Sequence, residues 1–85
     1  MQEYRITVTY IDNSDDYIKF NHLNKALAWV GRNTPNIANC LIAHYHKDEG
    51  AIHFTNTGKS WYFDREDLIG EDAYYQEIMK RKEDK

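Results

Sequence analysis

The sequence predicts an α+β fold, a two-layer sandwich in which helices cover one face of a mostly antiparallel sheet of about five strands. Two observations lead to this class. Segments in which apolar and polar residues alternate lie on both sides of a segment with helical periodicity, and clusters of turn residues separate them. The expected order is strand, strand, helix, three strands, helix. The 85 residues have room for one compact domain, residues 1–85, with residues 80–85 frayed.

The first two strands form a predicted hairpin around residues 12–16, which are rich in turn-forming side chains. Alternation is regular along residues 4–10, where β-forming residues dominate. The chain returns at residues 17–20. The side chains expected in the core are Tyr4, Ile6, Val8, Tyr10, Ile18 and Phe20.

A helix is expected next, because apolar residues recur three and four positions apart after Asn21. Asn21 is suited to cap the N-terminus of this helix through its side-chain oxygen. Gly31 and Pro35 are expected to end it, since proline disfavours helical geometry in the residue before it. The predicted apolar stripe consists of Leu23, Ala26, Leu27 and Val30.

Three further strands are predicted at residues 37–46, 51–55 and 59–63, with turns at 47–50 and 56–58. Apolar residues fall on both faces of the first of these strands, so the register has to be chosen. Opposing His44 to His53 collects the most apolar side chains on one face. The expected core residues are then Leu41, Ala43, Tyr45, Ile52 and Phe54, and the expected solvent-facing ones are Cys40, Ile42, His44, His46 and His53.

The three histidines of this hairpin, His44, His46 and His53, are candidate metal ligands. Two ligands two residues apart on a strand and a third across a hairpin are a feasible start for zinc. No paired close spacing of ligands completes such a site. We therefore interpret the histidines as polar surface residues and expect no cofactor. A metal-binding protein that uses these three residues is the alternative.

Neither of two other motifs predicts an enzyme. Residues 55–60 resemble the end of a phosphate-binding loop, but His53 occupies the position of its first glycine and a strand follows. Cys40 has no predicted neighbour that would activate its thiol. We expect a non-enzymatic protein. Its lone cysteine and the absence of an apolar leader or span predict a cytoplasmic one.

Acidic charge is concentrated in one segment. Residues 1–63 carry six acids and six bases, and residues 78–85 carry four bases and two acids. Residues 64–77 carry six acids against Arg65 alone. A short helical turn and then a helix from Glu71 are expected there, and acids at a helix start also favour the helix dipole.

We predict that this acidic segment binds another protein with a basic surface, because opposite charges speed and orient such an encounter. A small protein of this kind could occlude a nucleic-acid-binding surface, as inhibitors from phages and mobile elements do, by an analogy of size and charge. The expected partner-binding residues are Asp64, Glu66, Asp67, Glu71, Asp72, Tyr74 and Glu77.

The open face of the sheet is a second expected surface. Aromatic and basic side chains on a flat sheet can stack single-stranded bases, so a single-stranded nucleic-acid binder is a further alternative. The neutral balance of residues 1–63 argues against direct nucleic-acid binding, because affinity for phosphates needs clustered cations. The same face could also form a homodimer contact. Besides the histidines, the side chains expected there are Arg5, Tyr17, Lys19, Ile42 and Tyr62.

Overall fold

Residues 1–83, which the computed structural model describes, form a four-stranded antiparallel sheet and three α-helices. Side chains are described for residues 1–80, so the predicted fraying of residues 80–85 falls beyond that limit except at Lys80. The elements are β1 (Gln2–Tyr10), β2 (Asp15–Phe20), α1 (Leu23–Asn33), a 3₁₀ turn (Thr34–Asn36), β3 (Ile37–His46), β4 (Thr55–Phe63), α2 (Arg65–Ile69) and α3 (Glu71–Glu83).

The α+β class is confirmed, but the sheet has four strands and not the five predicted. Residues 47–54 form a loop, and β4 is one continuous strand. Residues 56–58, predicted as a turn, lie within β4, where Asn56 pairs with Tyr45 and residues 57–59 form a bulge opposite His44. Gly58 has a φ of 84°, and its N–H donates to the side chain of Asn56 at 2.7 Å. The glycine therefore marks a bulge, where it supplies the left-handed conformation without ending the strand.

The strand order is β2-β1-β3-β4, with β1 and β3 in the centre. Ile6 of β1 pairs with Ile42 of β3, and Val8 pairs with Cys40. Residues directly opposite each other in a sheet share a face. The buried face of β1 therefore determines which side chains of β3 enter the core.

The predicted core face of β3 is wrong for this reason. Ile42 is fully buried, whereas Leu41 is 38% exposed on the face without helices. The pairing of His44 with His53 is wrong as well, because His53 lies in the loop before β4. Ile52, predicted in the core, is exposed in the same loop.

The core lies between the helix side of the sheet and α1. The predicted apolar stripe of α1 faces it, with Ala26 and Val30 buried. Burying one such valine or isoleucine side chain stabilises the fold by about 1.5–3 kcal/mol. Trp61, Phe63 and Leu68 pack against the edge of this core, so β4 and α2 both contribute side chains to it. The buried hydrophobic residues are Ile6, Val8, Ala26, Val30, Ile37, Cys40 and Ile42.

The ends of α1 differ slightly from the prediction. The N-cap residue is His22 instead of Asn21, and its side chain makes no capping hydrogen bond. The helix passes through Gly31 and ends at Asn33, two residues before Pro35. Thr34, the residue before the proline, keeps helical backbone angles with φ −51° and ψ −37°, so the helical path continues into the 3₁₀ turn that contains Pro35.

The molecule is elongated, with principal dimensions of 58 × 21 × 20 Å and a radius of gyration of 15.7 Å. A compact domain of this length would have a radius of gyration of about 12 Å. α3 would span about 20 Å from its residue count, and it packs mainly against α2. α3 therefore prolongs the molecule instead of covering the sheet. Within residues 1–83, no helix is long and apolar enough to cross a membrane.

Candidate functional site

The three candidate metal ligands, His44, His46 and His53, do not form a cluster. His44 and His46 lie on the helix side of β3, past the region that α1 covers, and His44 stacks on Tyr4 with ring centroids 4.7 Å apart. His53 lies in the loop before β4. The geometry assumed for a zinc site is therefore not formed.

Gln2 links His44 and His46 in a chain of hydrogen bonds that runs in one direction. The Thr57 hydroxyl lies 2.9 Å from Nδ1 of His44, whose Nε2–H donates to Oε1 of Gln2. The Gln2 amide donates to Nδ1 of His46 at 3.2 Å, and Nε2–H of His46 donates to Asp48 at 2.8 Å. Every ring nitrogen of this pair has a partner, so a metal ion would have to displace a hydrogen bond at each histidine.

Among the described residues, no group of three or more histidine, cysteine, aspartate or glutamate side chains is arranged to hold a metal ion. Cys40 is buried in the core, and burial raises the pKa of its thiol. Four residues along a strand separate Cys40 from His44 by about 13 Å, too far for a nucleophile and its base. Neither chemistry is assembled here.

Arg65, the one base of the acidic segment, is the residue that fixes this segment to the sheet. Its guanidinium donates to the main-chain oxygens of Thr34, Pro35 and Ile37, the last at 2.9 Å. The same group forms an ion pair with Glu77 of α3 at 2.8 Å. One side chain thus joins α2, the 3₁₀ turn, the start of β3 and α3. The sequence indicates no role for Arg65 beyond its charge, since its partners lie 12 to 31 residues away.

Of the seven predicted partner-binding residues, six are acids, and three of these acids have partners within the fold. The Asp64 side chain caps α2 by accepting from the N–H of Asp67 at 2.9 Å, and Asp67 accepts from the N–H of Asp64 at 3.1 Å. This reciprocal capping box satisfies main-chain donors that the first turn of a helix leaves free. Glu77 is held by Arg65. The three acids therefore stabilise the segment and leave less charge for a partner.

Of the remaining predicted residues, one lies on α2 and three lie on two different sides of α3. Tyr74 lies on the inner side with Glu77 and Ile78, where a cleft of about 310 Å³ separates α3 from the first hairpin. Glu66 lies on α2 and is half-buried. Glu71 and Asp72 are exposed in the first turn of α3, and no hydrogen bond or ion pair of theirs is found among the described side chains.

Two large apolar side chains lie beside these acids. Tyr75 is 50% exposed and Met79 is 61% exposed. At 100° per residue, positions 71, 75, 79 and 72 fall within about 100° of the helix circumference. We call Glu71, Asp72, Tyr75 and Met79 the outer stripe of α3. The sequence indicates the acids but not the stripe, because the helical spacing of Tyr74, Tyr75, Ile78 and Met79 does not tell which of them faces the fold.

The open face of the sheet carries a second exposed set of side chains. Tyr17, Leu41 and Tyr62 lie there, with Arg5 and Lys19 beside them. Arg5 is bound to Glu3 at 2.7 Å and stacks 3.8 Å above the ring of Tyr45, so its charge is largely compensated. Of the residues predicted on the open face, the structure places Arg5, Tyr17, Lys19 and Tyr62 there, whereas Ile42, His44 and His46 lie on the helix side of the sheet.

No protein-family model matches this chain, and neither a curated protein nor a solved structure matches it.

Proposed function

We propose that this protein is a non-enzymatic protein-binding module that uses the outer stripe of α3 to bind a partner. The observation that carries the proposal is the exposure of Tyr75 and Met79 on one side of a helix that begins with two free acids. A helix that serves only as a structural element would turn its large apolar residues toward the sheet. Here they face solvent on the part of the molecule that projects furthest from the core.

The outer stripe matches a known mode of recognition, in which a helix places apolar anchors in a groove of its partner. Tyr75 and Met79 are four residues apart and would share such a groove. Tyrosine is enriched among the residues that dominate interface energies, and methionine adapts to irregular pockets. Glu71 and Asp72 would then contact a rim of lysines or arginines on the partner.

The contacts that hold α3 against the rest of the fold support this role. Because Arg65 holds Glu77 and the 3₁₀ turn together, the inner side of α3 is fixed while the outer side stays free. A pre-oriented helix loses less conformational freedom on binding than a disordered peptide would. The capping box of Asp64 and Asp67 adds to this order at the base of the helix.

The partner that fits best has a basic surface with an apolar groove, as a nucleic-acid-binding protein does. Binding there would occlude the surface, so the module would act as an inhibitor of the phage type. We place it in the cytoplasm, where a lone cysteine such as Cys40 remains a thiol.

A pull-down from the source cell tests the proposal, with Glu71→Lys/Asp72→Lys and Tyr75→Ala/Met79→Ala as variants. Controls are Glu49→Lys and Ile52→Ala, which change an exposed acid and an exposed apolar side chain in the loop before β4. After nuclease treatment, the wild type and both controls should retain the same protein. Each α3 variant should lower the affinity for it at least about tenfold.

Two results would contradict the proposal. One is a retained protein whose affinity is unchanged in both α3 variants. The other is the absence of any stoichiometric protein after nuclease treatment, although circular dichroism shows that the wild-type bait is folded.

A further inference from the structure

The register of the sheet places one exposed row of side chains straight across the open face. Thr7 of β1 pairs with Tyr17 of β2 and Leu41 of β3, and Leu41 pairs with Tyr62 of β4. Tyr17 is 53% exposed and Tyr62 is 59% exposed, at the two ends of the row. Three strand spacings separate them by about 14 Å. We call these four residues the central row.

Charged residues flank the central row with opposite signs. Two positions beyond Tyr17 on β2 lies Lys19, and two positions before it lies Asp15. Both point to the open face, since Lys19 pairs with Arg5 and Asp15 pairs with Thr9. The face therefore has a positive side and a negative side, about 13 Å apart along the strand.

We infer that the open face binds a second copy of this chain through a two-fold axis parallel to the central row. Rotation by 180° about that axis places the central rows of the two copies on each other. It also brings Lys19 of each copy over Asp15 of the other, so two ion pairs form at once. A contact of this kind is self-complementary, as two-fold symmetry requires.

The side chains of the central row suit this packing. In an aligned sheet-on-sheet contact, side chains of the two inner faces interdigitate across about 10 Å. On this axis each residue of the central row faces the same residue of the second copy, and the small pair of Thr7 side chains leaves room for the rings of Tyr17 to tilt. Tyrosine rings that meet across the axis can stack at an offset, and their hydroxyls can remain at the wet rim.

The size of the face indicates weak association. Four strands at about 4.8 Å and a usable length of 20 to 27 Å give a footprint of about 500 Å² per copy. The total of about 1,000 Å² is near the lower limit for a specific interface. We therefore expect a dissociation constant in the micromolar range.

The charges of this face favour a second copy over nucleic acid. Arg5 is bound to Glu3 at 2.7 Å, and the Lys19 ammonium lies 3.9 Å from the same carboxylate. The side chain of Lys19 remains 56% exposed, but a single cation is too little to neutralise a run of phosphates, and Asp15 would repel them. A second copy, in contrast, necessarily presents the matching pattern. This inference does not depend on the function proposed for α3, whose outer stripe lies outside this face.

A charge-swap experiment tests the dimer. Sedimentation of the full chain from 5 µM to 1 mM should show reversible dimerisation of the wild type. Lys19→Asp places two acids at each contact and Asp15→Lys places two bases there, so each variant alone should dimerise at least about tenfold more weakly. An equimolar mixture of the two variants restores both ion pairs and should form a one-to-one heterodimer. Tyr17→Ala/Tyr62→Ala should remain monomeric.

The control is Lys25→Asp, which reverses an exposed charge on α1 and should dimerise like the wild type. Circular dichroism must show that every variant is folded, and Asp15→Asn replaces Asp15→Lys as a milder disruption where it is not. The inference is overturned by a wild type that stays monomeric at 1 mM. It is also overturned by a mixture that fails to pair while the wild type dimerises, or by a monomeric wild type that binds oligo-dT through Tyr17 and Tyr62.

Discussion

At the scale of single residues, Arg65 has the largest structural role in the C-terminal half. It is the one base in an acidic segment, so its charge has many possible partners in the sequence. In the structure its guanidinium satisfies main-chain oxygens at the end of the 3₁₀ turn and holds Glu77. Removing it would take a hydrogen-bond donor from these main-chain oxygens in a partly buried place.

Replacing Arg65 with methionine should therefore destabilise the protein by about 1.5–3 kcal/mol, the range for hydrogen bonds to a charged group. Urea unfolding followed by circular dichroism measures this loss. Hydrogen exchange of α3 should become faster, because Glu77 loses its ion pair. Arg32→Met, at an exposed position of α1, is the matched control. Equal stability of the two variants would contradict the role given to Arg65.

The sequence shows where acidic residues are concentrated but not which of them have partners within the fold. Asp64 and Asp67 were recognisable as helix-start residues, and a capping box has a local signature. The contact between Arg65 and Glu77 is not local, so it could not be read from spacing. Of the predicted set, Glu71 and Asp72 remain available to a partner at the exposed start of α3.

At the scale of elements, β3 illustrates why sequence patterns can leave a strand's orientation undecided. Its residues are apolar on both faces, so alternation alone favoured Leu41, Ala43 and Tyr45 for the core. The pairing with β1 decides the matter, because Ile6 and Val8 are buried and their partners must share their face. The two strands are separated by a hairpin and a helix, and their pairing has no signal in the sequence.

A pair of substitutions measures this orientation directly. Ile42→Ala removes a fully buried side chain and should destabilise the fold by about 2–4 kcal/mol. Leu41→Ala, one residue away on the open face, should cost less than about 1 kcal/mol in dilute solution. Urea unfolding at low micromolar concentration gives both values. If Leu41→Ala destabilised the fold more than Ile42→Ala, the core face of β3 predicted from the sequence pattern would be the correct one.

Substitutions at two glycines test whether β4 contains the bulge. Gly58 has a φ of 84°, whereas Gly31 lies inside α1, and an added Cβ would meet no atom within 4 Å at either position. Gly58→Ala should destabilise the protein by about 1–2 kcal/mol because an L-residue is strained there. Gly31→Ala should stabilise it by about 0.5–1 kcal/mol through helix propensity. Thermal unfolding measures both, and a neutral or stabilising Gly58→Ala would contradict the bulge.

At the scale of the whole molecule, the sheet and α3 have different structural roles. The sheet and α1 enclose the core, while Arg65 fixes a helix that extends the molecule to 58 Å. The α+β class followed from the order of periodic segments. The elongated shape did not, because it depends on α3 packing mainly against α2. A dimer formed through the open face would carry two outer stripes, and a partner with two sites would bind it more tightly than it binds one copy.

The measurement that tests the central claim most directly is site-specific photo-crosslinking in the source cell. A benzophenone side chain is introduced at position 75 or 79 of the outer stripe, and at position 52 in the loop before β4 as the control. We predict that positions 75 and 79 capture the same protein and that position 52 does not. Capture from position 52 alone, or from none of the three while the protein still co-purifies, would contradict a partner-binding role for α3.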